Sequence, residues 1–369
     1  MQNNPYIRKY KTSNAACAGV QPLSNLKYAV KDIIPVGGFP VSFGLMPPLI
    51  ENAGSSANVI NLLNDRGASL VGSTNLDPAA MSIDGQNQFY GDMHNPLDSS
   101  APLGGSSGGS AIAVSLAEAD FALGSDHGGS VRIPAALCNL YGLKLTPGLI
   151  DSKDWILLKD PMDCPGIIAK SPALIKKILQ TITSLPPAGS ISETIIVPHK
   201  DILGECSNEL LNEFDKTIES LKDKYEIRIV EQELFLSEIS GHRKIIIAKL
   251  FAELVSKFDY SGLPLNLQAL LKFAEQIDAG QFHHAKQRCE SIRRTIQEII
   301  GQNLLLTPLF PVRKADVSSA VPNINTYLSI ANVSGLPAIN LNFDPPLQAI
   351  GGINSEIRLC EFALDIENR

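Results

Sequence analysis

The sequence predicts an α/β fold, because segments with strand character alternate with segments of helical character along the first third of the chain. Apolar runs of strand length are bounded by turn residues, and the runs between them favour helix. In order, the predicted elements are a strand at 28–36, a helix at 58–66, a strand at 68–74, a helix at 111–119 and a strand at 121–126.

The second half of the chain continues with both kinds of element, and its composition shifts towards charged residues from about 200 to 300. Apolar residues at helical spacing there predict helices that cover the sheet and shape a pocket, without chemistry of their own. The predicted elements are a helix around 210–221, a strand around 225–229, a helical segment at 245–300 broken near 261–264, strands at 304–308 and 336–341, and a helix at 356–366.

The composition is that of a folded protein with a sizeable core. The 369 residues are 44% hydrophobic and 19% charged, with a formal net charge of −7. A chain of this length buries about 70 to 75% of its unfolded surface, and its acidic balance argues against nucleic acid as a partner. The N-terminus lacks an apolar leader and no apolar run reaches the roughly 20 residues that span a bilayer, so we expect a cytoplasmic protein that binds no membrane.

The cysteines form no pattern that binds a metal or closes a disulfide framework. They are scattered, with no C-x-x-C pair and no histidine at ligand spacing, so we expect no metal site and no disulfide framework. Cys138 is interpreted as a small buried hydrophobe rather than a nucleophile. The cysteines are Cys17, Cys138, Cys164, Cys206, Cys289 and Cys360.

A local excess of glycine and serine marks the sequence GGSSGGS at 104–110. A flexible linker would have this composition, but predicted helix and strands flank it. A phosphate-binding loop would need lysine where this chain has Ser110. The third interpretation is a catalytic loop, in which glycines allow close approach of the backbone and serines supply hydroxyls.

A second glycine-rich element, GSDHGGSVRIP at 124–134, favours the catalytic interpretation. A Gly-Gly pair just before a serine turns successive backbone N–H groups inward, which suits an oxyanion. A serine nucleophile needs a base, and Lys31 is a candidate because it lies inside an apolar strand, where burial disfavours its charge. The adjacent Asp126 and His127 suggest a Ser-His-Asp triad less well, since neighbours on a tight turn seldom converge on one hydroxyl.

Together, these elements strongly resemble the amidase signature family. The resemblance implies one domain over residues 1–369, with a central mixed β-sheet covered by helices on both faces and a variable helical cover region at about 195–300. It rests on AVKD at 29–32, GGSSGGS at 104–110, DHGGSVR at 126–132, YGLKLTPG at 141–148, PGIIAKS at 165–171, LTP at 306–308 and NVSGLPA at 332–338.

The resemblance also implies a Ser–cis-Ser–Lys triad. Ser130 would be the nucleophile, Ser106 a relay with a cis peptide bond on its N-terminal side, and Lys31 the base. The remaining expectations are an oxyanion hole of the backbone N–H groups of His127, Gly128, Gly129 and Ser130, structural support from Ser107, Asp126 and Arg132, and substrate contacts from Met81 and Ser82.

The implied activity is cleavage of a small-molecule carboxamide through an acyl-enzyme, without cofactor, in a protein that is expected to form a homodimer. Within the family, the sequence at 81–91 looks most like small stand-alone amidases of the indoleacetamide-hydrolase type. His127 departs from the smaller residues usual at its position, and the region after 340 looks shortened. An amide-forming or acyl-transferring enzyme with the same triad and a non-catalytic family member are the alternatives.

Overall fold

A mixed β-sheet of eleven strands runs through the part of the chain that the structure, a computed structural model, describes. The described residues are 3–11, 20–186, 194–231, 234–256 and 262–367. The strands are β1 (Tyr6–Lys9), β2 (Lys27–Lys31), β3 (Ser69–Thr74), β4 (Phe121–Asp126), β5 (Tyr141–Lys144), β6 (Cys164–Ala169), β7 (Thr194–Pro198), β8 (Glu226–Val230), β9 (Leu304–Pro308), β10 (Ala338–Leu341) and β11 (Leu347–Ile350).

The strands are arranged in the order β1-β3-β2-β4-β6-β5-β10-β11-β9-β7-β8. Neighbours in the group β3, β2 and β4 are parallel, as are those in the group β9, β7 and β8. The other neighbouring pairs are antiparallel. The predicted α/β class with a central mixed sheet is therefore confirmed.

Helices pack on both faces of this sheet. Neighbouring residues of β6 show the two faces, because Ile167 packs in a core with α4 and α1 whereas Ile168 packs in a second core with α2. The helices of the described residues are α1 (Asn58–Asp65), α2 (Gly108–Ser115), α3 (Arg132–Leu137), α4 (Pro172–Ile182), α5 (Asn208–Leu221), α6 (Leu236–Val255), α7 (Leu265–Glu275), α8 (Ala279–Ile300), α9 (Thr326–Ser334) and α10 (Glu356–Glu367).

Helices α7, α8 and α9 each pack against α6, and α8 also packs against α9. Capping fixes the start of α8, since the Asp278 carboxylate accepts the N–H of Gln281, whose side chain accepts the N–H of Asp278 in return. The predicted break in the helical segment falls between Val255 and Leu265. Residue 261, which was part of that prediction, lies outside the described residues, and so does Cys17. None of the helices in the described ranges has the length and apolar character needed to cross a bilayer.

Three predicted elements have different bounds in the structure. The strand at 28–36 ends at Lys31, because the chain turns where the N–H and hydroxyl of Ser42 donate to the Asp32 carboxylate. The helix at 111–119 instead begins at Gly108, inside the glycine cluster, and ends at Ser115. The helical segment predicted to begin at 245 begins at Leu236, and the other predicted elements are confirmed within a few residues.

The parallel pairing of β2 and β4 positions the site. The carboxyl ends of neighbouring parallel strands meet at one edge of a sheet, which is where ligands bind in many α/β proteins. Here β2 ends at Lys31 and β4 ends at Asp126. Helix α2, which follows the glycine-serine loop, packs on both strands and holds that loop at the same edge.

The tight packing of this loop can be tested by substitution of Gly109. A Cβ at Gly109 would overlap the backbone carbonyl oxygens of Asn75 and Pro5. We expect Gly109→Ala to lower the free energy of unfolding by about 1–3 kcal/mol, the usual cost of overpacking, measured by urea denaturation. Gly241→Ala is the matched control, because a Cβ there meets nothing within 4 Å on helix α6 and alanine favours helix. Equal stabilities of the two variants would contradict the expectation.

Candidate active site

Lys31 lies at the end of β2 with its side chain fully buried. Its Nζ donates to Ser106 Oγ at 2.7 Å and to Ser125 Oγ at 3.3 Å. Among the described residues it forms no ion pair, so its nearest partners are hydroxyl groups. This arrangement places the amine within hydrogen-bond distance of the Ser106 hydroxyl.

Burial lowers the pKa of Lys31 to about 8, because desolvation disfavours the ammonium form. The carboxylates of Asp163, Asp77 and Asp126 act in the opposite direction and keep the pKa from falling further. A substantial fraction of Lys31 is therefore neutral at mildly alkaline pH, as a general base must be.

The glycine-serine loop places Ser106 against Lys31. Ser106 is fully buried, and the Gly105–Ser106 peptide bond is cis, the form that the family resemblance implied. The neighbouring Ser107 N–H donates to the Ser130 carbonyl at 3.1 Å, which ties this loop to the second glycine-rich loop. The Ser107 hydroxyl is buried and has no hydrogen-bond partner among the described residues.

Ser130 lies nearer the surface than the other two members of the predicted triad. It is half-buried and lines the same cavity as Ser106. The hydrogen bonds of the described residues include none between the Ser106 and Ser130 hydroxyls. The three side chains thus form a series from the buried Lys31 to the cavity wall. A proton relay through them needs the Ser106 and Ser130 hydroxyls to form a hydrogen bond when substrate binds.

A buried ion pair holds the turn that carries Ser130. Both Asp126 and Arg132 are fully buried, and Arg132 donates from Nη2 to Oδ1 at 2.8 Å and from Nε to Oδ2 at 3.0 Å. The Asn332 side chain donates to Asp126 as well, at 3.0 Å. The guanidinium and these donors hold the pKa of Asp126 well below its usual range despite the opposing effect of burial. The ion pair expected from the sequence is present.

The backbone hydrogen bonds of this turn differ from the predicted oxyanion hole at Gly129. The Gly129 N–H donates to Asp126 Oδ1 at 2.8 Å, so this donor faces the ion pair instead of the cavity. For His127, Gly128 and Ser130, the hydrogen bonds of the described residues include none from the backbone N–H. These three donors remain for an oxyanion.

The side chain of His127 does not form a Ser-His-Asp triad. No hydrogen bond among the described residues joins it to Asp126 or Ser130, and the Asp126 carboxylate is engaged by Arg132. Burial, helped by the nearby Arg243, lowers the pKa of His127 to about 3, so the imidazole is neutral at physiological pH. Its Nε2 is buried and has no partner among the described residues.

The cavity at this edge has a volume of about 380 Å³, within the range of small-ligand sites. Its wall combines apolar side chains, among them Phe43, Ile156 and Leu158, with polar and charged ones. Met81 and Ser82 line it as well, at the border where the sequence placed them. The volume and lining suit a small molecule that has both apolar and polar groups.

The sequence reasoning missed three side chains of the site. Ser125 accepts a hydrogen bond from Lys31, and its position beside Asp126 in the second motif was a usable signal. Asp163 lines the cavity, and burial raises its pKa to about 6; it precedes the motif at 165–171. Arg243, on α6, also lines the cavity, and nothing in the charged helical segment distinguishes it from its neighbours.

The described residues contain no group of three or more His, Cys, Asp or Glu side chains that could hold a metal ion. Cys138 is buried in a core with α2 residues, and burial raises the pKa of its thiol to about 12. A protonated thiol is a poor nucleophile, so the interpretation of Cys138 as a core residue holds.

Comparison with known proteins identifies relatives of the chain. A family model described as Amidase matches residues 7–210. A mitochondrial glutamyl-tRNA(Gln) amidotransferase subunit of Yarrowia lipolytica is 36% identical over 206 residues, which is 54% of this chain and 44% of the relative. Amidase 1 of Oryza sativa subsp. japonica is 35% identical over 167 residues, which is 45% of this chain and 38% of the relative. The chain thus matches less than half the length of these curated relatives.

The fold is similar to that of a solved structure described as a crystal structure of amidase. The TM-score is 0.84 with 24% sequence identity, and the similarity covers 95% of this chain and 86% of the other. At this identity, the likeness concerns the fold alone.

The buried ion pair provides a test of what holds the site. Arg132→Met would leave Asp126 buried without its counter-charge, and we expect the free energy of unfolding to fall by about 3–5 kcal/mol. The deficit should shrink as the pH is lowered, because protonation neutralises the orphaned carboxylate. Urea denaturation at several pH values measures both effects.

Lys176→Met is the matched control for this experiment. It removes one member of the Lys176–Glu361 pair, whose side chains are 28% and 27% exposed, and its cost should be about 0–1 kcal/mol. A loss in Arg132→Met no larger than in this control would contradict the structural role of the buried pair.

Proposed function

The chain belongs to the amidase family, and on this premise we propose that it is a serine hydrolase that cleaves a small-molecule carboxamide to a carboxylic acid and ammonia or an amine. The observation that carries the proposal is the hydrogen bond from Lys31 Nζ to Ser106 Oγ, beside a cavity that Ser130 also lines. The proposed catalytic unit is one domain over residues 1–369, with 195–300 as its variable cover.

In the proposed first step, Ser130 attacks the amide carbonyl. Neutral Lys31 takes the proton of the Ser106 hydroxyl, Ser106 takes that of Ser130, and the Ser130 oxygen forms a bond to the carbonyl carbon. The burial that lowers the pKa of Lys31 supports its role as the base, since it must start unprotonated. Because Ser106 is buried between protein groups, the relay keeps the base out of contact with bulk water.

The tetrahedral intermediate carries a negative charge on the former carbonyl oxygen. We assign its stabilisation to the backbone N–H groups of His127, Gly128 and Ser130, which have no other acceptor among the described residues. Loss of one such donor typically costs about 3–4 kcal/mol of transition-state stabilisation. Gly129 is left out of this set because its N–H donates to Asp126.

Collapse of the intermediate breaks the carbon–nitrogen bond. The proton held by Lys31 returns through Ser106 to the leaving nitrogen, and Ser130 keeps the acyl group as an ester. A water molecule, deprotonated through the same relay, then attacks the ester carbonyl. The acid leaves, Ser130 recovers its proton, and the neutral lysine is restored without any other reactant.

An amide-forming or acyl-transferring enzyme is the alternative function. The observation that favours it is the similarity to a relative named as part of an amidotransferase, 36% identical in the matched part. The first half-reaction is the same in both cases, and the alternatives differ in whether water or an amine takes the acyl group. Product analysis with and without added amine separates them.

Removal of the Ser130 hydroxyl tests the proposed nucleophile. We expect Ser130→Ala to lower kcat for ammonia release from a panel of small primary amides by roughly 10⁴-fold or more, because loss of a serine nucleophile removes the covalent route. In the unsubstituted protein, a fluorophosphonate probe should label Ser130, with the adduct located by mass spectrometry.

Ser100→Ala serves as the control, since Ser100 is exposed and donates only to Asp98. It should keep both activity and labelling. A fluorophosphonate adduct on a serine other than Ser130 would refute the assignment.

The pH dependence of kcat/KM tests Lys31 as the base. With a pKa of about 8, the neutral fraction grows roughly tenfold per pH unit below that value and then levels off, so the rate should follow the same course. The profile is measured with a neutral amide, whose own charge does not change with pH. A rate that peaks in acid would be incompatible with this base.

A further inference from the structure

Arg243 is a cation at the wall of the cavity, next to the loop that carries Ser130. It lies on α6 and is half-buried, and its Nε donates to the backbone carbonyl of His127 at 3.0 Å. Its Nη2 packs so closely on Gly128 that a Cβ at that glycine would overlap it. The guanidinium therefore lies directly over the turn that precedes Ser130.

The charge of Arg243 is offset only from a distance, by the carboxylates of Asp126 and Asp163. The ion pairs of the described residues include none to Arg243, and its two terminal nitrogens donate no hydrogen bond to a described residue. Burial lowers the pKa of Arg243 only to about 10, so the side chain stays positively charged at neutral pH. An unpaired charge in a partly buried position costs free energy unless an anion compensates it.

Neither carboxylate forms an ion pair with the guanidinium among the described residues, and Asp126 is paired with Arg132. Asp163 lines the same cavity, but its Oδ2 accepts the N–H of Leu158 at 3.0 Å and no ion pair of the described residues joins it to Arg243. The side-chain amide of Asn325 also lies near Gly128, with Nδ2 at 3.2 Å from the position that a Cβ there would take. An arginine fork and an amide thus flank one glycine, a donor set that suits a carboxylate.

Building on the proposed function, we infer that the substrate is an amide with a carboxylate group close to the scissile carbonyl, and that Arg243 binds this carboxylate. The Nε–H of Arg243 is engaged by His127, which leaves the two terminal nitrogens for a bidentate contact. Gly128 is two residues from Ser130, so the bound carboxylate lies within roughly 10 Å of the nucleophile. A linker of a few carbons spans this distance.

A carboxylate on either half of the substrate satisfies this geometry. In a monoamide of a short dicarboxylic acid it belongs to the acyl group, and in an N-acyl amino acid it belongs to the leaving amine. The shared chemistry is an anion near the amide, and two matched pairs of compounds distinguish the sources.

The test compares kcat/KM for each carboxylate amide with that for an uncharged amide of the same shape. The pairs are succinamate with 4-methylpentanamide, and N-acetylglycine with N-isobutylacetamide. We expect a preference for the carboxylate member of at least one pair in the unsubstituted protein. Arg243→Gln should reduce that preference by about ten- to a hundred-fold, and Arg243→Lys should keep part of it.

Lys286→Gln is the matched control, because it removes the same charge from an exposed residue of α8 that does not line this cavity. Lys286 lies over the ring of Phe282, so the preference should change less than about threefold. The ratio of the two kcat/KM values separates recognition from structure, since a merely structural role of Arg243 lowers both. Circular dichroism and thermal unfolding check that each variant folds.

Succinate binding measured by calorimetry makes the test independent of turnover. We expect succinate to bind the unsubstituted protein and to slow fluorophosphonate labelling of Ser130, and Arg243→Gln to weaken both effects. If succinate binds in this Arg243-dependent way while no amide is cleaved and Ser130 is not labelled, the proposed function fails and the anion site stands. Equal succinate binding by the two proteins, or a carboxylate preference that Arg243→Gln leaves unchanged, would overturn the inference.

Discussion

The buried pair of Asp126 and Arg132 is the interaction on which the geometry of the site depends. The Asp126 carboxylate accepts backbone N–H groups of its own turn, from Gly129 at 2.8 Å and from Val131 at 3.2 Å. Arg132 then extends across the sheet edge and donates to the side chain of Gln348 at 2.5 Å. One ion pair thus fixes the conformation of the turn and attaches it to β11, so the backbone donors before Ser130 are oriented before a ligand arrives.

Arg132 and Lys31 are both buried at this edge, but their hydrogen-bond partners differ. Arg132 has a carboxylate and neutral acceptors within hydrogen-bond distance, so the free energy of its desolvation is offset. Lys31 is equally buried but is surrounded by the hydroxyls of Ser106 and Ser125, which stabilise an ammonium ion less than a carboxylate does. Arg132 thus holds the backbone of the turn, whereas the partly neutral Lys31 is suited to take a proton.

The sequence predicted those parts of the fold and site that depend on local chemistry. A lysine in an apolar run and two glycine-rich loops favoured a catalytic interpretation, and the resemblance to the amidase signature family then implied the roles of Lys31, Ser106 and Ser130. The direction of the Gly129 N–H was not predictable, since it depends on which side of a tight turn faces the buried carboxylate. Arg243 was missed because its position at the cavity wall depends on how α6 packs against elements distant in sequence. Helical periodicity carries no information about that packing.

The contact between Arg243 and the carbonyl of His127 also affects the neighbouring N–H group. That carbonyl belongs to the same peptide unit as the N–H of Gly128, so the two polar groups share one delocalised electron system. A cation that draws electron density towards the oxygen makes the N–H at the other end a stronger donor. In the proposed mechanism, helix α6 therefore strengthens the Gly128 N–H as a donor to the oxyanion through the backbone, without a side chain that reaches the oxyanion itself.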